Sequence, residues 1–243
     1  MTRRPSGDAP VPYRPTVTQE EAERLRQIHE LSYQADLERS GSEQTFRYRD
    51  LTFLVPSQVH PLGPLSGLLG DAVLAEVRDG ERVLDMGTGC GLHAILAATK
   101  TRYVLAVDVN PHAVTAARLN AERNGIGDRV EVRLSDVFSA VDGQFDVIVF
   151  NPPFRWFTPR DPLEMASADP GYRALTMFFR SARQHLSATG RMLIFFGTSG
   201  DLGYLERLFD EEGFAAEVLS RHERSGDGWP VEYFTFRLTN GGP

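Results

Sequence analysis

Cysteine, lysine and long apolar runs are nearly absent from this 243-residue chain. Its one cysteine, Cys90, excludes an intrachain disulfide framework and a cysteine-rich zinc site. No apolar run approaches the ~20 residues that cross a membrane. Met1–Pro15 is polar and proline-rich, without the apolar core of a signal peptide, so cytoplasm is the expected compartment. Lys100 is the single lysine, arginine supplies every other basic side chain, and the net charge is -7. That balance disfavours phosphate-driven binding to long nucleic acid, which calls for a basic face. What is present is the composition of a globular chain, long enough for one sizeable domain and an appendage.

The order of elements predicts an α/β fold with a Rossmann-like doubly wound sheet. Residues 1–17 are expected to be a disordered tail. Thr18-Gln19-Glu20-Glu21 reads as a capping box, and Ala22, Leu25, Ile28, Ser32 and Ala35 follow at helical spacing. Thr45–Val55 reads as a short hairpin, so residues 18–63 form a helix and hairpin cap. The main domain spans 64–243. Strands are expected near Arg82–Met86, Tyr103–Val107, Val130–Leu134, Phe145–Phe150 and Arg191–Phe196. Helices are expected near Leu92–Thr99, Pro111–Asn124, Gly171–Leu186 and Leu202–Glu212. This alternation implies a mostly parallel sheet covered on both faces. Phe214–Ser220 and Val231–Leu238 have no helix between them, which allows an antiparallel pair at the C-terminus.

Ligands of such sheets sit at the carboxyl ends of the strands. There the chain carries Asp85-Met86-Gly87-Thr88-Gly89-Cys90-Gly91. Glycines let the backbone turn and approach a ligand closely. The spacing G-x-G-x-G differs from the dinucleotide fingerprint G-x-G-x-x-G, because Leu92 takes the third glycine position. Asp85 would also oppose a pyrophosphate, whereas it suits an ammonium. S-adenosylmethionine (SAM), which has an ammonium and no phosphate, is therefore the expected cofactor. Asp108 ends the second strand, where a carboxylate accepts ribose hydroxyls. Asp136 follows the third, in position to meet an adenine amino group, although such an Asp is also a common turn residue. Val109 and Val137, next to these acids, complete the expected cofactor-binding set. Cys90 is read as packing against the cofactor; His60 can act as a base near the cofactor mouth, although a lone His between Val59 and Pro61 is more often structural.

After the fourth strand comes Asn151-Pro152-Pro153-Phe154. A planar nitrogen has a delocalised lone pair and must rehybridise to attack a methyl group. Two acceptors gripping its N–H bonds would favour this: the Asn151 side-chain carbonyl and the Pro152 carbonyl. Neither proline has an N–H, and both restrict the backbone before them, so acceptors are presented with few competing donors. Phe154 can stack on the flat group. Asn151, Pro152, Pro153 and Phe154 are thus the catalytic candidates, with Asn151 also at the cofactor's edge. The loop Arg155–Pro162 can act as a lid with aromatic walls and two guanidiniums, or pack Trp156 on the core. No metal is called for.

Asp85–Gly91, Asp108-Val109-Asn110-Pro111 with Ala113, Asp136 and Asn151–Phe154 together resemble class I SAM-dependent methyltransferases. Within these they resemble the small-domain group of N-methyltransferases, which includes the release-factor glutamine N5-methyltransferases and several rRNA N-methyltransferases. The resemblance covers roughly residues 45–239. It implies that Asp85 and the 87–91 loop hold the methionine part of SAM, Asp108 the ribose and Asp136 the adenine edge. It also implies that Asn151 and Pro152 grip the target nitrogen. The chain departs from the glutamine enzymes in two places. Phe154 replaces their usual Tyr, and Val55–Gly63 lacks their Pro-Arg-Pro-Glu-Thr-Glu segment. No long helical recognition domain precedes the motifs. The expected acceptor is an amide, guanidine or similar nitrogen of a small molecule or protein side chain. The alternatives are an rRNA or tRNA base, and a non-catalytic SAM-binding regulator, which the intact Asn151–Phe154 opposes. Nothing in the sequence speaks to oligomeric state.

Overall fold

The computed structural model describes residues 13–39, 42–165, 167–226 and 229–241. Helix α1 (Gln19–Arg39) is followed by the hairpin β1 (Gln44–Tyr48) and β2 (Leu51–Val55). Then come α2 (Ser66–Glu76), β3 (Arg82–Met86), α3 (Leu92–Ala98), β4 (Tyr103–Asp108), α4 (Pro111–Arg123) and β5 (Val130–Leu134). The second half holds β6 (Phe145–Phe150), α5 (Pro162–Met165), α6 (Arg173–His185), β7 (Leu186–Gly197), α7 (Leu202–Glu211), β8 (Phe214–Gly226) and β9 (Trp229–Asn240).

Seven strands form one sheet in the order β5-β4-β3-β6-β7-β9-β8. All neighbours are parallel up to β7; β9 runs antiparallel to both β7 and β8. The strands β3, β4 and β6 are buried almost throughout, as near-continuous apolar runs covered on both faces should be. The C-terminal pair therefore enters the sheet by its second strand. Phe236 and Leu238 of β9 are buried, whereas most of β8 is exposed along the edge.

Two apolar layers flank the sheet. One packs α2, α3, α4 and the hairpin through Phe53, Val55, Leu69, Ile95 and Ala117. The other packs α6 and α7 with α1 through Leu175, Phe178, Leu205, Leu208 and Leu25. The helix and hairpin of residues 18–63 thus join different layers. Asn120 of α4 and Asn124, which caps its C-terminus, bond the backbone of Leu54 and Thr52 through both carbonyl and amide, a zipper that fixes the hairpin.

The capping box is formed: Thr18 Oγ1 accepts from Glu21 N (3.2 Å), and Glu21 accepts from Thr18 N (2.8 Å). The buried stripe of α1 runs through Leu25, His29 and Tyr33, while Ser32 is exposed. Residues 13–17, expected to be part of a disordered tail, are instead tethered: Tyr13 and Thr16 bond Asp201, while Arg14, Pro15 and Thr16 stay exposed. The rest of that expected tail lies outside the described residues.

The strand order reverses between β3 and β6, so the crevice opens at their carboxyl ends. Register puts both sequence motifs there. Met86 lies opposite Phe150 on one side and Val107 on the other. Gly87 and Asn151 therefore follow paired residues on strands ~4.8 Å apart.

Candidate active site

The glycine loop leaves β3 and turns into α3. Gly87, Gly89 and Gly91 all take positive φ (65°, 57° and 93°). At Gly91 a side chain also has no room, since a Cβ would lie 3.1 Å from the Cα of Ala117 in α4. Gly89 is the opposite case, with open space where its Cβ would be. The loop is pinned by Thr88 N to Val107 O (2.9 Å) and Gly91 N to Thr88 O (2.9 Å). Met86 and Cys90 are buried beside it; burial pushes the Cys90 thiol up to about 12, which leaves it unreactive.

Asp85 is buried, and its Oδ2 accepts from Thr88 Oγ1 (2.6 Å) and Ala94 N (3.0 Å). Burial raises its carboxyl to about 7, against the lowering pull of those two donors, and Asp108 adds to the rise. Asp108 closes β4 and accepts Gly89 N and Asn110 N, one on each oxygen (both 2.9 Å). Burial raises it too. Among the described residues, no arginine or lysine bonds either acid. Two desolvated carboxylates stand beside an open glycine loop with no counter-cation among the described residues. Val109 follows Asp108 and is 68% exposed, offering an apolar surface at the strand ends.

Asp136 is placed differently from the other acids. Arg173, the first residue of α6, bonds both its oxygens (3.2 and 2.6 Å) and holds its carboxyl low. An acceptor role for Asp136 must therefore use lone pairs that this guanidinium leaves. The next residue, Val137, is buried with φ 50°, costly for a β-branched side chain and of order 1–3 kcal/mol. Ser135 Oγ donates to its carbonyl (2.7 Å).

Asn151 is partly buried, and no side-chain hydrogen bond is made to it among the described residues. Pro152 is buried; the Phe154 ring packs 4.8 Å from Phe196 and 6.3 Å from Tyr233. The segment is braced from behind. Tyr172 Oη donates to the Phe154 carbonyl (2.7 Å). Asp169 N and Gly171 N donate to the carbonyls of Arg155 and Trp156 (both 2.7 Å). Asp169 in turn accepts from Ala174 N and Leu175 N at the start of α6 (both 2.9 Å).

The loop beyond packs instead of opening. Trp156 and Arg155 are buried, and Trp156 lies 5.9 Å from Tyr172. Arg160 is held by Glu164 (3.1 Å) and by Glu30 of α1 (2.9 Å), over the ring of Tyr33. Of the two guanidiniums that a lid would offer a ligand, Arg160 is committed to carboxylates and Arg155 is buried. His60 is exposed.

Sequence reasoning missed Tyr172, Asp169 and Arg173. A signal existed for one: Asp169-Pro170-Gly171 just ahead of an apolar-periodic run is a helix-start pattern. Nothing local marks Arg173 as the partner of Asp136, 37 positions away.

Comparison with known proteins fits this geometry. A model of the methyltransferase small domain matches residues 66–218. The release factor glutamine methyltransferase of Cereibacter sphaeroides is 34% identical over 132 residues, 48% of this chain and 47% of that protein. The enzyme of the same name from Agrobacterium fabrum is 29% identical over 240 residues, 91% of this chain and 81% of its own length. The crystal structure of a ribosomal protein L11 methylase from Lactobacillus delbrueckii subsp. bulgaricus shares the fold. Its TM-score is 0.58 at 20% identity, covering 82% of this chain and all of that one. The chain spans about half or less of the length of several curated relatives it matches. With the match of the family model across more than half its residues, this chain belongs to the methyltransferase small domain family.

Proposed function

We propose that this protein transfers a methyl group from SAM to the planar nitrogen of an amide, with a protein side chain as the acceptor. The observation that carries the reading is the register of β3 against β6. It sets the Asn151–Pro152 acceptors beside the glycine loop, at the crevice where the strand order reverses.

The residues present fit SAM. Asp85 and Asp108 are desolvated acids without a cationic partner among the described residues, which favours a cationic ligand over a phosphate. Asp85 would face the ammonium. Asp108 would accept the two ribose hydroxyls, each oxygen already holding one backbone N–H and keeping a lone pair. Val109 and Val137 would flank the adenine, with Asp136 at its amino edge. Gly87, Thr88, Gly89 and Gly91 give the close backbone approach, and Met86 packs beneath.

SAM supplies the electrophilic methyl. The chain supplies orientation. The Asn151 side-chain carbonyl and the Pro152 carbonyl would each accept one N–H of the amide, turning its lone pair toward the methyl. Asn151 cannot act as a strong base, so the gain comes from positioning and from acceptors aimed at N–H bonds that grow more acidic. The half-buried Phe154 ring borders the flat group. The glutamine methyltransferases among the relatives support an amide acceptor. A net charge of -7 argues against an RNA base.

A methylation screen with mass detection tests the reading, offering glutamine-bearing proteins and peptides, metabolite amides and structured RNA with SAM. A gain of one methyl on an amide nitrogen, lost in Asn151→Ala, supports it. Methylation of RNA alone, or of oxygen or carbon, overturns it.

A further inference from the structure

Behind the acceptor segment runs a chain of hydrogen bonds that ends at the N-terminal strap. Asp201, fully buried at the start of α7, accepts from Tyr13 Oη (2.8 Å), Thr16 N (2.8 Å) and Tyr204 N (3.1 Å), and also from Thr16 Oγ1. Its own N–H donates to Tyr172 Oη (2.9 Å), and that hydroxyl donates to the Phe154 carbonyl (2.7 Å). Every link is thus directional, from residues 13–16 through Asp201 and Tyr172 to the residue two positions past Pro152.

The surroundings leave Tyr172 little freedom. Its backbone is left-handed (φ 47°, ψ 39°), a conformation that a bulky residue keeps only when its environment over-determines it. Its ring stacks on Tyr204 (5.5 Å, 8° between planes), and the Tyr13 ring sits edge-on to both at 5.0 and 4.8 Å. A Cβ on Gly200 would lie 2.7 Å from the Phe196 ring and 3.0 Å from Tyr172 Oη. Thr176 Oγ1 bonds both the Tyr172 carbonyl (2.6 Å) and Tyr204 Oη (2.7 Å). The packing holds the phenol where its one hydroxyl serves both Asp201 and Phe154.

We propose that Tyr13 and Thr16 are positioning residues for methyl transfer, acting through Asp201 and Tyr172 to hold the Asn151–Phe154 acceptors in their reactive geometry. This rests on the amide clamp proposed above. The physical reason is that misplacing an acceptor by a fraction of an ångström spoils the transition state far more than it spoils ground-state binding. The strap touches none of Asp85, Gly89 or Asp108, so SAM affinity should be insensitive to it.

The test compares wild type with Tyr13→Phe/Thr16→Val, Tyr172→Phe and Asn151→Ala in the full chain. Thr16→Ser, which keeps the hydroxyl, serves as the conservative control. Two readouts are used. Hydrogen exchange at the amides of Asp169 and Gly171, which bond the carbonyls of Arg155 and Trp156, needs no acceptor. Single-turnover methylation of an acetylated glutamine peptide is measured with SAM affinity by calorimetry. We expect exchange at these amides to rise about tenfold in the strap and Tyr172 variants while β3 and β4 amides hold. The single-turnover rate constant at saturating peptide should fall ~10–100-fold, with the half-saturating peptide concentration and SAM affinity within about threefold, and Thr16→Ser should behave as wild type. Unchanged local exchange overturns the proposal, as does exchange that rises equally throughout the chain, the mark of a purely structural role. Raised local exchange with an unaltered rate also overturns it. If Asn151→Ala loses activity and the strap variants do not, the relay alone is wrong. If Asn151→Ala keeps its activity, the clamp is wrong and the relay has nothing to position. Should the wild type leave the peptide unmethylated, the exchange readout decides.

Discussion

Asp85→Asn separates binding from stability at one buried atom group. The variant keeps the shape, and the single Asn carbonyl can still accept from Thr88 Oγ1 and Ala94 N as Oδ2 does. What it removes is a charge held in a desolvated place. The native carboxyl is raised from its ordinary 3.8 to about 7, chiefly by burial. Between those two values the native state holds a proton that the unfolded chain has released. Stability must therefore fall as pH rises through that window and level off above it. At 1.36 kcal/mol per tenfold change in acidity, the whole window is worth on the order of 4 kcal/mol. Asp85→Asn should thus match wild type near pH 4 and exceed it increasingly toward pH 8. Urea unfolding of the SAM-free protein at pH 5, 6, 7 and 8 measures the gap. The same variant should bind SAM ~10-fold or more weakly, for loss of a charge-assisted partner worth roughly 1.5–3 kcal/mol. Wild-type affinity should rise between pH 6 and 7 as Asp85 ionises, and the variant's should not. A stability gap that stays flat with pH would refute the assignment of a raised, uncompensated carboxylate, whatever happens to SAM.

Three further outcomes follow from the same geometry. Asp108→Ala should weaken SAM by ~10-fold or more while leaving a folded protein, because it strips the ribose acceptor; unchanged calorimetric affinity would remove Asp108 from the site. Asn151→Ala should lower the single-turnover rate ~10²–10³-fold with SAM affinity nearly intact, by analogy with a lost oxyanion-hole donor. Asn151→Asp should be milder than Ala, since a carboxylate still accepts both hydrogen bonds, and a rate in Asn151→Ala within about threefold of wild type would refute the clamp. Gly91→Ala combines a left-handed backbone with a 3.1 Å approach to Ala117. It should cost roughly 2–4 kcal/mol and lower Tm by several degrees in thermal unfolding, and an unshifted Tm would show that the loop has more room than its geometry implies.

Much of the candidate site could be named from the sequence because its chemistry is local in the chain. Asp85 with Gly87, Gly89 and Gly91, the acid Asp108 at a strand end, and the donor-poor Asn151-Pro152-Pro153 are each defined within a few residues. Apolar runs of strand length alternating with helical periods marked the five parallel strands to within a residue at most ends, β7 apart. It begins at Leu186, the last residue of the expected helix and five before the expected strand start, and its pairing with β6 shifts register between Phe145 and Val147. Such an irregularity depends on a neighbour and has no period of its own.

The sequence alone determined the class of fold and the kinds of chemical group at the strand ends, because periodicity and residue type are properties of short segments. Tertiary structure decided which of those groups meet. Register brings Met86 opposite Phe150 and so sets the glycine loop beside Asn151. The sheet takes β9 inside and leaves β8 at the edge, since β9 has more side chains to bury. Arg173 reaches Asp136, Arg160 reaches Glu30, and Tyr13 reaches Asp201 from 188 positions away. A polar side chain finds its partner only after packing has paid the entropy of bringing distant segments together, and no spacing along the chain records that choice.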